Sequence, residues 1–173
     1  ALGKEALAER SVTEVAARFG AAGLRLGSRG RSAVAAYHWA GTAGVFLPGD
    51  ARSSFLAALG FSLPPAVSAM AGGTFFRDLS PEDLSPLEAD LLVWVSAFDT
   101  DPDLAALPMR RTLEAHRKGR EAFAGPLVGS AMSHASILSM PFALGRLERD
   151  MAAALDGDPV SGVPTARKAG IAP

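Results

Sequence analysis

The chain has 173 residues, 17 basic and 18 acidic, so its near-zero net charge gives no electrostatic footprint for nucleic acid or an anionic membrane. Its length suits one domain that buries roughly two-thirds of its unfolded surface. With no cysteine it can form no disulfide, thiolate metal site or cysteine nucleophile, and no apolar run reaches the roughly 20 residues that span a bilayer.

Ala1 to Phe19 reads as an amphipathic helix. Val12, Val15, Ala16 and Phe19 recur at three- and four-residue steps, while Lys4, Glu5, Glu9, Arg10, Glu14 and Arg18 take other faces. The stripe extends through Leu24 and Leu26 until Gly27-Ser28-Arg29-Gly30 stops it. Those glycines fit neither the P-loop nor the dinucleotide fingerprint, which leaves an ordinary helix-to-strand loop. The chain opens on Ala1 inside the helical pattern, which reads as a piece of a longer protein.

Ser32 to Trp39 predicts a first strand and Val45 to Leu47 a short second one, with Gly41-Thr42-Ala43-Gly44 between them. Pro48-Gly49-Asp50 is a turn whose aspartate caps a helix over Ala51 to Leu59, and Gly60 ends that helix. Phe61 to Gly73 reads as an irregular surface segment and Thr74 to Phe76 as a brief extended piece. From Ser80 a short helix is expected: serine at the N-cap, Pro81 at the first helical position, Glu82 and Asp83 in the first turn facing the positive end of the dipole. Ser85-Pro86 breaks or restarts it. Leu91-Leu92-Val93-Trp94-Val95 is a continuous apolar run, suited to an inner strand of a parallel sheet covered on both faces.

Asp99 to Asp103 reads as a solvated loop, lacking the glycine and distal glutamate of a calcium loop. A short helical region near Met109 to His116, a tight basic turn at Arg117-Lys118-Gly119-Arg120 and a strand over Glu121 to Ala124 come next. Gly125 to Ser133 is expected as loop. The last helix carries Met140, Leu144, Leu147, Met151 and Leu155 on one stripe. Pro141 belongs in its first turn or at a kink, since mid-helix it would cost about 3 kcal/mol. Residues 160–173 have too little apolar pattern to fold alone and read as a flexible tail.

Alternating helices and apolar strands predict an α/β three-layer domain with a mainly parallel sheet flanked by helices. Ligands in such sheets meet the loops at the carboxyl ends of the strands, here His38-Trp39, Phe98 and Gly125-Pro126. Catalytic constellations are sparse. His38, His116 and His134 lie on separate segments without metal spacing, and Ser133-His134 with Asp99, Asp101 and Asp103 lacks a nucleophile elbow.

Four stretches carry a resemblance to a known family. Leu2-Gly3-Lys4-Glu5 leads into an alanine-rich helix. Leu79-Ser80-Pro81-Glu82-Asp83-Leu84 is followed by Ala89-Asp90-Leu91-Leu92-Val93. Ala115 to Arg120 reads AHRKGR, and Ala131 to Leu147 reads AMSHASILSMPFALGRL. In that order they resemble the C-terminal lobe of class III substrate-binding proteins, the ABC-importer receptors for ferric siderophores, haem and cobalamin, and the last stretch is similar to actinobacterial iron-siderophore receptors. His116, where valine is usual, and Phe61 to Thr74 depart from the pattern.

The resemblance implies a receptor and not an enzyme, periplasmic or lipid-anchored on the outer face of the cytoplasmic membrane. It implies an interlobe helix over 1–26, an α/β lobe over 27–159 and a tail over 160–173, with an N-terminal lobe upstream of Ala1 supplying the other wall of the cleft. Glu82 takes the place of the glutamate that docks onto permease arginines; as a plain sequence feature it is also a first-turn residue favouring the helix dipole. The expected ligand face is Trp39, Phe46, Arg52, Phe76, Arg77 and Phe98, with Ser133 and His134 as outsiders. Aromatics can stack on a bulky chelate and arginine can pair with its anionic oxygens. Phe46 and Phe98 also read as core, and Arg52 as a solvated helix residue. No cofactor is expected, because ferric iron arrives already wrapped in its chelator. Other readings are haem or cobalamin as the ligand, a free-standing α/β interaction domain, and a metal-cluster or chelatase-type enzyme for which only His38 and His134 could serve as ligands.

Overall fold

The computed structural model describes residues 3–173, so the part of the expected helix on Ala1 and Leu2 lies outside the described residues. Helix α1 (Glu5–Leu26) ends where Gly27 turns left-handed at φ 60°. Only its last turns are held by the domain: Phe19, Ala22, Gly23 and Leu26 are buried, while Leu7 and Val12 are more than half exposed. Phe19 meets Phe55 edge-on at 5.1 Å. Gly23 is required by a close approach, since a Cβ there would sit 2.1 Å from the Leu59 carbonyl oxygen.

The sheet has the order β3-β2-β1-β4-β5. Strands β1 (Ala33–Trp39), β4 (Leu91–Val95) and β5 (Glu121–Ala124) are paired in parallel. Strand β2 (Thr42–Phe46) folds back antiparallel on β1, and β3 (Phe76–Asp78) runs antiparallel to β2 at the edge. The sheet is therefore mixed, with only β2 reversed, and the expected mainly parallel α/β architecture holds. The β1–β2 hairpin turns on Ala40 and Gly41, both with positive φ, a two-residue connection that matches strand twist. The central run Leu91 to Trp94 is wholly buried, as its unbroken hydrophobicity demands.

One face of the sheet carries α2 (Ala51–Ala58), α6 (Pro126–His134) and α7 (Ser139–Ala154), with α1 packed against α2 and α7. Asp50 caps α2 by accepting the Arg52 amide, Gly60 follows the helix at φ 93°, and Pro141 lies in the first turn of α7, each as the sequence predicts. The opposite face carries α4 (Pro102–Ala106), a 3-10 turn over Pro108–Thr112 and α5 (Glu114–Arg117), and α8 (Pro164–Ala169) packs against β5.

Five local expectations need correction. No helix forms at Ser80: the Ser80 hydroxyl accepts the Glu82 amide, the Asp83 amide donates to the Ser80 carbonyl, and the Asp83 carboxylate takes the Ser85 amide. These local bonds make turns, and a 3-10 turn at Ser85–Leu87 follows. Residues 61–73 contain a short helix, α3 (Pro65–Ala69), pinned by buried Val67. Asp99 to Asp103 is not all solvated loop, because buried Asp101 caps α4 by accepting the Leu104 amide. Gly125 to Ser133 is mostly helix α6, with Pro126 at its first position. Residues 160–173 are no loose tail: α8 buries Ala166 and Ala169, Ile171 is fully buried, and the Thr165 hydroxyl accepts the Phe123 amide of the sheet edge.

Candidate ligand-binding face

The carboxyl ends of β1 and β4 lie side by side, and a hollow of about 400 Å³ opens there between α2 and α6. Strand alternation puts Tyr37 and Trp39 of β1 on the same face as Phe46 of β2, and Phe46 is buried at its floor. The Arg52 guanidinium lies 3.6 Å above the Phe46 ring centroid. It is fixed there by Asp50, whose two carboxylate oxygens accept from Nε and Nη2 at 2.7 Å each. The same carboxylate caps α2, so the turn that starts the helix also orients the arginine. Nη1 of Arg52 takes no part in the clamp.

Tyr37 extends the aromatic surface toward the sheet edge. Its ring lies across Gly44, where a Cβ would come within 2.1 Å, and its hydroxyl donates to Asp78 Oδ1 at 2.5 Å. Burial, then the bond to Asp78 and that carboxylate's charge, push the phenol well above its ordinary pKa, so Tyr37 stays a neutral donor. The Tyr37 ring touches Phe46 at 5.1 Å and Phe76 edge-on at 6.0 Å. At the mouth, Trp39 stacks on Phe98, and both are more than half exposed. A second hollow of about 410 Å³, bounded by Asp99 and Asp103, lies against the same two rings.

Of the predicted ligand-face residues, Trp39, Phe46 and Arg52 line the first hollow, Phe98 joins through its stack on Trp39, and Phe76 through Tyr37. Arg77 is not brought there: it alternates with Phe76 and Asp78 and so belongs to the other sheet face. The outsiders Ser133 and His134 line the hollow from α6. Glu82 is exposed on its turn, with a fixed backbone but no helix behind it. Tyr37, Ser96 and Ser130 also line the hollow and were missed; the β1 alternation that selects Trp39 contains the signal for Tyr37. His38 is not a free ligand, since it is buried with Nδ1 3.3 Å from Asp101. Among the described residues no three His, Cys, Asp or Glu side chains converge on a metal position.

This fold is shared with solved substrate-binding proteins, an iron-uptake ABC transporter protein among them. An iron-uptake ABC transporter substrate-binding protein of Streptococcus pneumoniae, PiaA, superposes with a TM-score of 0.71 over 90% of this chain and 56% of its own, at 18% identity. A periplasmic solute-binding protein of Mycobacterium smegmatis gives 0.69 over 88% and 52%, at 23% identity. FhuD2 of Staphylococcus aureus, solved with bound ferrioxamine B, gives 0.75 over 90% and 61%, at 13% identity. The chain thus spans little more than half the length of the structures it matches. No protein-family model matches the sequence, and no curated protein matches it. Among the described residues no helix is long and apolar enough to cross a membrane.

Proposed function

We propose that this chain is one lobe, the C-terminal one, of the substrate-binding component of an ABC importer, and that it captures a ferric siderophore outside the cytoplasmic membrane for a permease. Its work is binding and not bond-making. The observation that carries this reading is the exposed Trp39–Phe98 stack beside the clamped Arg52, at the strand ends of a fold shared with iron-uptake receptors. A bulky chelate presents flat apolar edges for the rings to cover and metal-bound oxygens that the unclamped Arg52 Nη1 can meet. The iron comes as part of the ligand, so no protein ligand set is needed.

Matched structures extend well beyond the part this chain covers, 56% and 52% of two of them, which supports a second lobe closing over this face. One wall buries only part of a ligand, so this lobe alone should bind weakly. The exposed first turns of α1, with Leu7 and Val12 bare, suit a helix that bridges to that lobe. Glu82 is the residue proposed to dock on the permease, and a lipid anchor or periplasmic release are the two ways of keeping such a receptor at the membrane. Ligand titration of the full-length protein tests the cargo. Ferric siderophores should bind saturably; binding of haem or cobalamin alone would change the ligand and keep the class, and binding of none of the three would favour a free-standing interaction domain.

A further inference from the structure

A hollow of about 850 Å³ lies away from the candidate ligand-binding face, between α4, the 3-10 turn at Pro108–Thr112 and the C-terminal segment. Among the described residues its lining includes Arg110, Arg111, His116, Arg167 and Lys168 and no aspartate or glutamate. Arg110 is the unusual member, because it is 2% exposed. Its Nε donates to the Leu104 carbonyl. Its Nη1 donates to Glu121 Oε2 at 2.7 Å and to the Ile171 carbonyl at 2.8 Å. Among the described residues Nη2 has no hydrogen-bond partner, and since no fully buried side-chain nitrogen is left unpaired there, Nη2 opens onto the solvent of the hollow. His116 repeats the pattern. Its Nδ1 lies 2.6 Å from Glu121 Oε2, while Nε2 has no partner among the described residues.

Two buried, nitrogen-bearing side chains therefore each line the hollow with one nitrogen uncommitted. Glu121 balances Arg110, which leaves Arg111, Arg167 and Lys168 as three cations around the opening. Neither Arg111 nor Lys168 pairs with a carboxylate among the described residues. We propose that this hollow is a binding site for a phosphate-type oxyanion. A tetrahedral, multiply charged anion has enough acceptor oxygens to meet Arg110 Nη2 at the back, beside the His116 ring, and the three cations at the rim. The site shares no residue with the aromatic hollow, so it does not depend on the siderophore reading.

Inorganic pyrophosphate titrated into the protein at constant ionic strength, with histidine imidazole resonances followed by NMR, tests the site. The expected result is a saturating shift of His116 with His134 unmoved, and binding at least about tenfold weaker in the Arg111→Gln/Lys168→Gln double variant. Both substituted residues are exposed, so the fold should survive, and unchanged thermal unfolding of the variant checks that. Co-sedimentation with phosphatidylcholine vesicles containing phosphatidate identifies the source of the phosphate. If vesicles capture the protein and pyrophosphate releases it, the ligand is a lipid headgroup; if they do not, it is a soluble phosphate. A His116 resonance that stays still, drifts without saturating, or shifts equally in the double variant would overturn the proposal.

Discussion

Trp39, at the end of one strand, and Phe98, just past the end of its parallel neighbour, stack with parallel, offset rings, their centroids 5.7 Å apart and their planes 5° from parallel. Both stay more than half exposed, at 58% and 53%. Core aromatics are seldom left so bare, and an exposed pair can stack on a ligand at little cost in reorganisation. Trp39→Ala or Phe98→Ala should each weaken siderophore binding by about tenfold. Stability should change by less than about 0.5 kcal/mol, because little buried surface is lost. Titration and urea unfolding of the same variants separate the two effects; a large loss of stability would make the pair structural.

Glu82 stands clear of the core on a turn fixed by Ser80 and Asp83. Glu82→Ala should leave ligand affinity unchanged and reduce uptake in cells by tenfold or more on the order expected for a lost charge-assisted contact. Uptake at the unsubstituted level would remove Glu82 from the docking surface.

Gly44 is the floor on which the Tyr37 ring lies. Gly44→Ala should cost about 1–3 kcal/mol by overpacking and displace the ring from Asp78. Equilibrium unfolding measures the cost. Loss of ligand binding in this variant with only a small loss of stability would tie Tyr37 to the ligand-binding face.

Arg110 and Glu121 form a buried pair that also holds Trp94, since Glu121 Oε1 accepts the indole N–H at 2.7 Å. Removing one partner strands a buried charge, so Arg110→Met should cost about 3–5 kcal/mol. It also frees the Ile171 carbonyl, so amide exchange should quicken over residues 163–171 before it does in β4. Uniform exchange across the chain would show that the C-terminal segment depends on other contacts.

Asp150 accepts the Thr165 amide from within α7, and burial raises its pKa above the ordinary carboxylate value. A raised carboxyl pKa means that ionisation weakens the fold. The penalty is absent in acid and grows as pH rises through the folded-state pKa. Asp150→Asn keeps an acceptor for Thr165 and removes the charge. It should therefore raise the melting temperature at neutral pH and lose that advantage in acid. A variant less stable at neutral pH would mean that the amide fails to replace the carboxylate.

What the sequence made legible follows from how local each determinant is. The Leu91–Val95 strand announces itself by an apolar run buried on both faces, and α2 by a capping aspartate and a closing glycine. Helix α6 was hidden because Gly125, Pro126 and Gly129 look like loop chemistry. Pro126 in fact starts the helix, and Gly129 lets it approach the sheet, where a Cβ would meet the Val95 side chain at 2.9 Å. The C-terminal segment was hidden for a different reason: its anchors are Arg110 and the β5 edge, some forty residues or more earlier in the chain. At the candidate ligand-binding face, the strand-end rule picks out Trp39 and Phe98, but the Asp50 clamp on Arg52 needed three dimensions to be seen.

The most direct test of the central claim is a ferric-siderophore titration of the full-length protein read by tryptophan emission, with Trp39→Phe as the control. Trp94 is fully buried, so a ligand at the strand ends should report through Trp39. Saturable quenching by a ferric siderophore, largely lost in Trp39→Phe, is the predicted result. No response to any ferric siderophore, with clear quenching by haem or cobalamin, would contradict it.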